Sequence, residues 1–251
     1  MAHVSALTKP SAESASTQAS AAPGLSWRDS RILPFGAYMA FIAVASALGW
    51  LGEQGMVSEG FQHELELWLY PAKTLVVSGL ILSYWTQYEE LQDGLFSNPA
   101  HLGSAVAVGA LVYAAWVRMD WPWATQGTLT GYDPTQGGAA AFFLIGVRLF
   151  GAAVVVPVME EIFWRSFLIR YIDASNYLTA RIGLCSAKAA AITIILFGLE
   201  HQLWLAGMMA GAAYTVVLAR TQRLWPCIVA HGTTNLLLGL HVLLTGEWKW
   251  W

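Results

Sequence analysis

Charge is what this chain has least of. Only 12% of its 251 residues are Asp, Glu, Lys or Arg, about half the ~25% usual in soluble domains. A net charge of −3 offers no basic surface for nucleic acid and no strongly charged face for another partner. Cysteine is nearly absent as well. Cys185 and Cys227 stand alone, with neither a disulfide framework nor a metal-ligand spacing, and both read as small apolar residues. Residues 1–26 hold no apolar run of the kind a signal peptide needs. Rich in Ala and Ser, they read as a disordered tail. No repeat of 20–50 residues is visible. Gly-x-Ser-x-Gly, His-Glu-x-x-His and phosphate-binding glycine loops are all missing, which removes the common motif-defined hydrolase and nucleotide-binding readings.

What is present is hydrophobic. The apolar share is 56% and the mean hydropathy is +0.50, so the expected fold class is all-α: a polytopic membrane helical bundle. The apolar segments fall at 34–52, 66–85, 101–119, 139–158, 160–173, 187–205, 206–220 and 225–245, about eight transmembrane or membrane-embedded helices in a single domain over 27–251. A full span takes ~20 residues, so 160–173 and 206–220 are expected to be tilted, interfacial or merged with a neighbour. Pro157 removes a backbone donor and is expected to break the fourth segment, leaving Glu160 at a fresh helix N-terminus, where the helix dipole favours a carboxylate. Of the thirteen Trp, Trp27, Trp50, Trp68, Trp225 and Trp248 sit where apolar runs end, as interfacial anchors do. The 53–66 connection reads as an acidic loop. Basic residues gather at 28–31, 170–188 and 220–223, which puts the N-terminus on the cytoplasmic side; the 86–100 loop has no Lys or Arg and adds nothing to that orientation. The Gly- and Pro-containing connection 120–138 reads as a turn-rich loop.

Three ionisable residues within six positions of apolar sequence, Glu160, Glu161 and Arg165, are costly at membrane depth, roughly 2.5–3.5 kcal/mol each. Successive helical residues diverge by about 100°, so the two carboxylates cannot share a face. Arg165 is one turn from Glu161 and pairs with it, leaving Glu160 to find its partner on another helix. A desolvated carboxylate is suited to general-base work. His201 closes an apolar segment, with Phe197 one turn before it, Glu200 and Gln202 beside it, and Gly198 able to let another helix approach. His231 and Asn235 share a face one turn apart and together offer donors for a developing oxyanion. Each group also has a structural reading: helix-start carboxylates, a hydrogen-bonded histidine, interhelical glue. His241 is poorly placed to join. A Glu with two His has the ligand types for Zn²⁺, but no cofactor is the favoured expectation.

In order, Glu160-Glu161-x-x-x-Arg165, Phe197-x-x-x-His201 and His231-x-x-x-Asn235 resemble the three motifs of the CAAX-processing and bacteriocin-immunity-type intramembrane endopeptidases. Forty residues separate Glu161 from His201, and thirty separate His201 from His231. The resemblance covers about 140–245. It implies an eight-helix membrane fold with a conical cavity near mid-membrane, and a glutamate-type peptidase without a required metal. It also implies that Glu160 and His201 activate a water, that His231 and Asn235 hold the oxyanion, and that Glu161 and Arg165 shape the site. The Leu33-Pro34-Phe35 start of the first span and the Trp-rich ends resemble a bacterial subgroup found beside exosortase sorting systems.

The expectation is an endopeptidase of the bacterial cytoplasmic membrane, with the lipid bilayer and a membrane-associated protein or peptide as its partners. The alternatives are a non-proteolytic scaffold or immunity protein with a structural polar core, a metal-dependent membrane hydrolase, and a small transporter with a proton relay. The last lacks an inverted repeat.

Overall fold

Helix starts and stops follow local chemistry. In the computed structural model, which describes residues 29–127, 129 and 131–251, Pro34 sits in the first turn of α1 (Leu33–Glu53), where a missing N–H costs nothing. α2 is Glu59–Ser83. Asn98 caps α3 (Pro99–Trp116) by accepting from His101 N–H, and Ser186 caps α5 (Ala187–Leu199) by accepting from Ala189 N–H. α6 (Trp204–Thr221) ends on Gln222 in the left-handed region at φ 55°, and α7 (Leu224–Thr245) ends on Gly246 at φ 72°. The expected tail, 1–26, lies outside the described residues.

α4 corrects one expectation. It runs unbroken over 141–173, through π-helical turns at Gly151–Val155 and Ile162–Leu168. The apolar segments 139–158 and 160–173 are therefore one helix, and Glu160 lies inside it, far from any helix N-terminus. The described residues form seven helices where about eight were expected. Pro157 is accommodated by a shift of register upstream. Val156 N–H donates five residues back, to Gly151 O, so the next carbonyl, Ala152 O, falls to the residue that has no N–H. Asn235 of α7 supplies the missing donor, Nδ2 to Ala152 O at 2.9 Å. Two further boundaries move. The expected acidic loop 53–66 is helical from Glu59, with its acids turned outward. The break between the sixth and seventh segments falls at 200–203, ahead of 205–206.

Five of these helices, α1 to α4 and α7, are long and apolar enough to cross a membrane. Their outer faces expose residues such as Leu75, Leu111, Phe142 and Leu244, the apolar surface that lipid covers. The protein is an all-α polytopic bundle. α5 and α6 form an antiparallel pair. Gln222 at the end of α6 donates to Gly183 O before α5, so the pair enters and returns at one end of the bundle and carries its turn inside. Crossings are close where side chains vanish. A Cβ on Gly207 would strike Gly198, one on Gly109 of α3 would strike the Ala230 carbonyl of α7, and one on Gly232 would strike Ala153 O.

Candidate active site

Glu161 turns into the protein with none of its side chain exposed. Arg165, equally buried, donates Nη1–H to Glu161 Oε1 at 3.0 Å, donates Nη2–H to Gly211 O at 3.3 Å, and lies 4.3 Å from the centre of the Phe197 ring. His231 donates Nδ1–H to the same Glu161 oxygen at 3.0 Å. Tyr214 stacks on the His231 ring at 5.0 Å, and its hydroxyl donates to Thr234 Oγ1. The imidazole is thus held by a carboxylate behind it and a ring across it. Its Nε2 is turned to Glu160, 4.0 Å from Oε2.

His201 belongs to the turn between α5 and α6. Its Nδ1–H donates to Phe197 O at 2.7 Å, which leaves Nε2 as the acceptor nitrogen. Trp116 of α3 packs edge-on to the ring at 5.5 Å. Gln126, beyond the end of α3, reaches this turn, its backbone N–H donating to Gln202 O at 2.7 Å.

Glu160, His201, His231 and Asn235 line one cavity of about 210 Å³, walled by Tyr38, Trp116, Tyr214 and Arg148 among others. The Glu160 side chain is almost wholly buried, and its Oε2 has no hydrogen-bond partner among the described residues. Asn235 spends one amide hydrogen on Ala152 O and keeps the other, with Oδ1, for the cavity. Glu161 and Arg165 do not reach the cavity wall; they stand behind His231. His241 lies elsewhere, between the Tyr113 hydroxyl at 3.0 Å and Glu247 at 3.2 Å. Cys227 is fully buried against backbone carbonyls, and neither cysteine is bridged.

Glu200 was not among the sequence-derived candidates, yet it converges on the site. Glu160, Glu200 and His201 offer ligand atoms all within 4.8 Å of one another. Its only sequence signal is adjacency to His201 at an unusually polar helix end.

A buried carboxylate, two oriented imidazoles and an amide thus line one small chamber inside the helical bundle. A family model described as the Rce1-like type II CAAX prenyl endopeptidase matches residues 142–237, the segment that holds all three motifs. The match spans 96 residues, less than half of the chain, and over that core the chain is similar to that family of membrane proteases. No curated protein and no solved structure matches the chain.

Proposed function

We propose that this protein is an intramembrane endopeptidase that hydrolyses a peptide bond of a membrane-associated protein or peptide with a glutamate-activated water and no resident metal. The observation that carries this reading is the meeting of Glu160, His201, His231 and Asn235 on one small cavity. Water held between Glu160 and His201 Nε2 gives its proton to the Glu160 carboxylate as its oxygen attacks the carbonyl carbon. The oxyanion is met by Asn235 Nδ2–H and by Nε2–H of His231, which in this reading is an imidazolium throughout the cycle with Glu161 as its counter-ion. Collapse of the adduct breaks the C–N bond, and Glu160 returns the proton to the leaving amine. Glu161 and Arg165 act by position. Arg165 fixes Glu161, and Glu161 aims His231.

The test compares chain termini in membrane fractions of cells carrying wild type and Glu160→Gln. Peptides whose termini depend on Glu160 are expected, and their absence, with the variant folded and inserted, overturns the reading. A metal-dependent hydrolase is the second reading, favoured by the mutual approach of Glu160, Glu200 and His201. Stoichiometric metal in the purified protein, with activity lost to chelator and restored by the ion, would select it.

We further propose a bacterial cytoplasmic membrane location with the N-terminus cytoplasmic. Arg31, Arg170 and Arg223 meet the 86–97 connection at one end of the bundle through Glu90 and Asp93, and Arg181, Lys188 and Arg220 belong to the same end. At the other end Arg118 and Lys249 are the described cations, so the basic excess marks the cytoplasmic side.

A further inference from the structure

Like charges gather beside the active cavity with no anion between them. Arg148, in the first half of α4, lines that cavity. It makes no hydrogen bond or ion pair with the described residues, and its Nε is buried without a partner. Lys73 of α2 likewise makes no ion pair with the described residues. Both lie against one ring: the Arg148 guanidinium is 4.2 Å and the Lys73 ammonium 4.8 Å from the centre of Tyr70. Lys73 is also 4.0 Å from the centre of the Tyr38 ring. Aromatic faces compensate a cation only in part. Two cations on one ring also repel each other, an arrangement that an anion between them relieves. Both face a second cavity of about 600 Å³, which shares Tyr70, Arg148 and Trp251 with the catalytic one. Glu66 stands on its rim, engaged by Gln62 at 2.9 Å, and pairs with neither cation.

We propose that Arg148 and Lys73 select substrates by an acidic side chain: the second cavity takes an internal Asp or Glu of the membrane polypeptide being cut, and the ends of that polypeptide play no part in holding it. This rests on the peptidase reading above. Depth identifies the anion. Lys73 stands fourteen residues into α2 and ten from its end, roughly 20 and 15 Å from the two, near the middle of a helix long enough to cross a membrane. A lipid phosphate belongs at headgroup level. The termini of a spanning segment stay in water, where charge costs least. The anion that such a segment can carry to mid-membrane is a side chain, and an Asp or Glu there is costly unless it finds a cation. A guanidinium beside an ammonium suits the two oxygens of one carboxylate. Arg148 precedes Glu160 by twelve residues of one helix, an axial distance of roughly 18 Å. The acid therefore falls within about five extended residues of the cut, at ~3.3 Å each.

The test has two arms. In the first, Glu160→Gln protein in phosphatidylcholine nanodiscs is titrated at neutral pH with a dodecapeptide of Leu, Val and Ala that carries one central Glu, and with its Gln counterpart. Each peptide bears a fluorophore at its N-terminus and an amide at its C-terminus. The Glu peptide is expected to bind at least tenfold tighter. Arg148→Gln or Lys73→Gln, introduced into that background, should each erase the preference without lowering the thermal midpoint, since each removes a charge that has no partner. Arg148→Lys, which keeps the charge, should retain most of the preference. Equal binding of the two peptides overturns the proposal. So does a preference that vanishes in phosphatidylglycerol discs, which would assign the cations to lipid, or one that follows a free C-terminus on the Gln peptide in place of the side chain. In the second arm, wild type is given a library of C-terminally amidated hydrophobic peptides, each with one Asp, Glu, Asn or Gln. Cuts are expected within about five residues of Asp or Glu, and Arg148→Gln should remove that bias. Cuts that ignore the acidic residue overturn the proposal and leave the peptidase reading standing. If the Glu peptide is preferred but wild type cuts nothing that Glu160→Gln leaves intact, the peptidase reading falls, and the substrate-selecting role falls with it.

Discussion

A single carboxylate oxygen, Oε1 of Glu161, receives both Arg165 and His231, so the buried charges of this site are bound up with one another. Removing one partner of a buried pair costs about 3–5 kcal/mol, and Arg165→Ala should lower the thermal midpoint in detergent accordingly. Arg165→Lys should not restore it, because an ammonium cannot serve Glu161, Gly211 O and the Phe197 face at once. Asn235 holds Ala152 O and, in the proposed mechanism, the oxyanion, so its loss should show in two measurements. Asn235→Ala should slow turnover by about 10²–10³-fold if an oxyanion donor is gone and should lower stability by about 1–3 kcal/mol, since Ala152 O is left unsatisfied. At this scale the sequence was legible where charge stood out against apolar surroundings. Glu160, Glu161 and Arg165 declared themselves, and helical spacing separated the cavity-lining carboxylate from the one paired with Arg165. Glu200 was not legible. Neighbours on a helix diverge, and only the abrupt turn after α5 lets Glu200 and His201 approach the same carboxylate.

Among the elements, α4 was the one misread. Pro157 signals a break by the ordinary rule, and nothing in Gly151–Val155 announces a π turn. The turn exists because a carbonyl freed by proline found a donor on α7, a pairing between positions 152 and 235 that local sequence cannot disclose. Pro157→Ala returns an N–H to compete with Asn235 for that carbonyl. The helix should persist with little change in thermal midpoint, while turnover falls because Asn235 and the register of Glu160 are released. A loss of stability larger than the loss of rate would refute this account. The α5–α6 pair was better indicated. Gly198 suggested close approach, and Gly207 crosses there. Gly198→Ala should therefore push α6 outward, displace His201 and lower both stability and turnover.

For the molecule as a whole, the end of the bundle near the start of α1 is tied by a polar cluster. Arg31 donates to both oxygens of Glu90 at 2.9 and 2.7 Å, and Ser166 donates to Glu90 as well. Burial raises the carboxyl's pKa, but the Arg31 hydrogen bond and charge and the Ser166 hydroxyl outweigh it and hold Glu90 below the usual glutamate range. A group depressed in this way stabilises the fold above its unfolded value, about 4.3, and the contribution is lost as pH falls through the lower folded value. The thermal midpoint should drop on acidification below about pH 4. Glu90→Gln should start lower at neutral pH and show a smaller acid decline. The bundle class was legible from composition alone, while the meeting of its loops at one end depended on pairings such as Arg31 with Glu90, across 59 residues of sequence. The chamber itself has one more implication. An α-helix with its side chains is about 10–12 Å across, too wide for a space of about 210 Å³. Under the proposed peptidase reading, whatever stretch of polypeptide reaches Glu160 must arrive already uncoiled, so the ease with which a client segment unwinds helps decide which of them is cut.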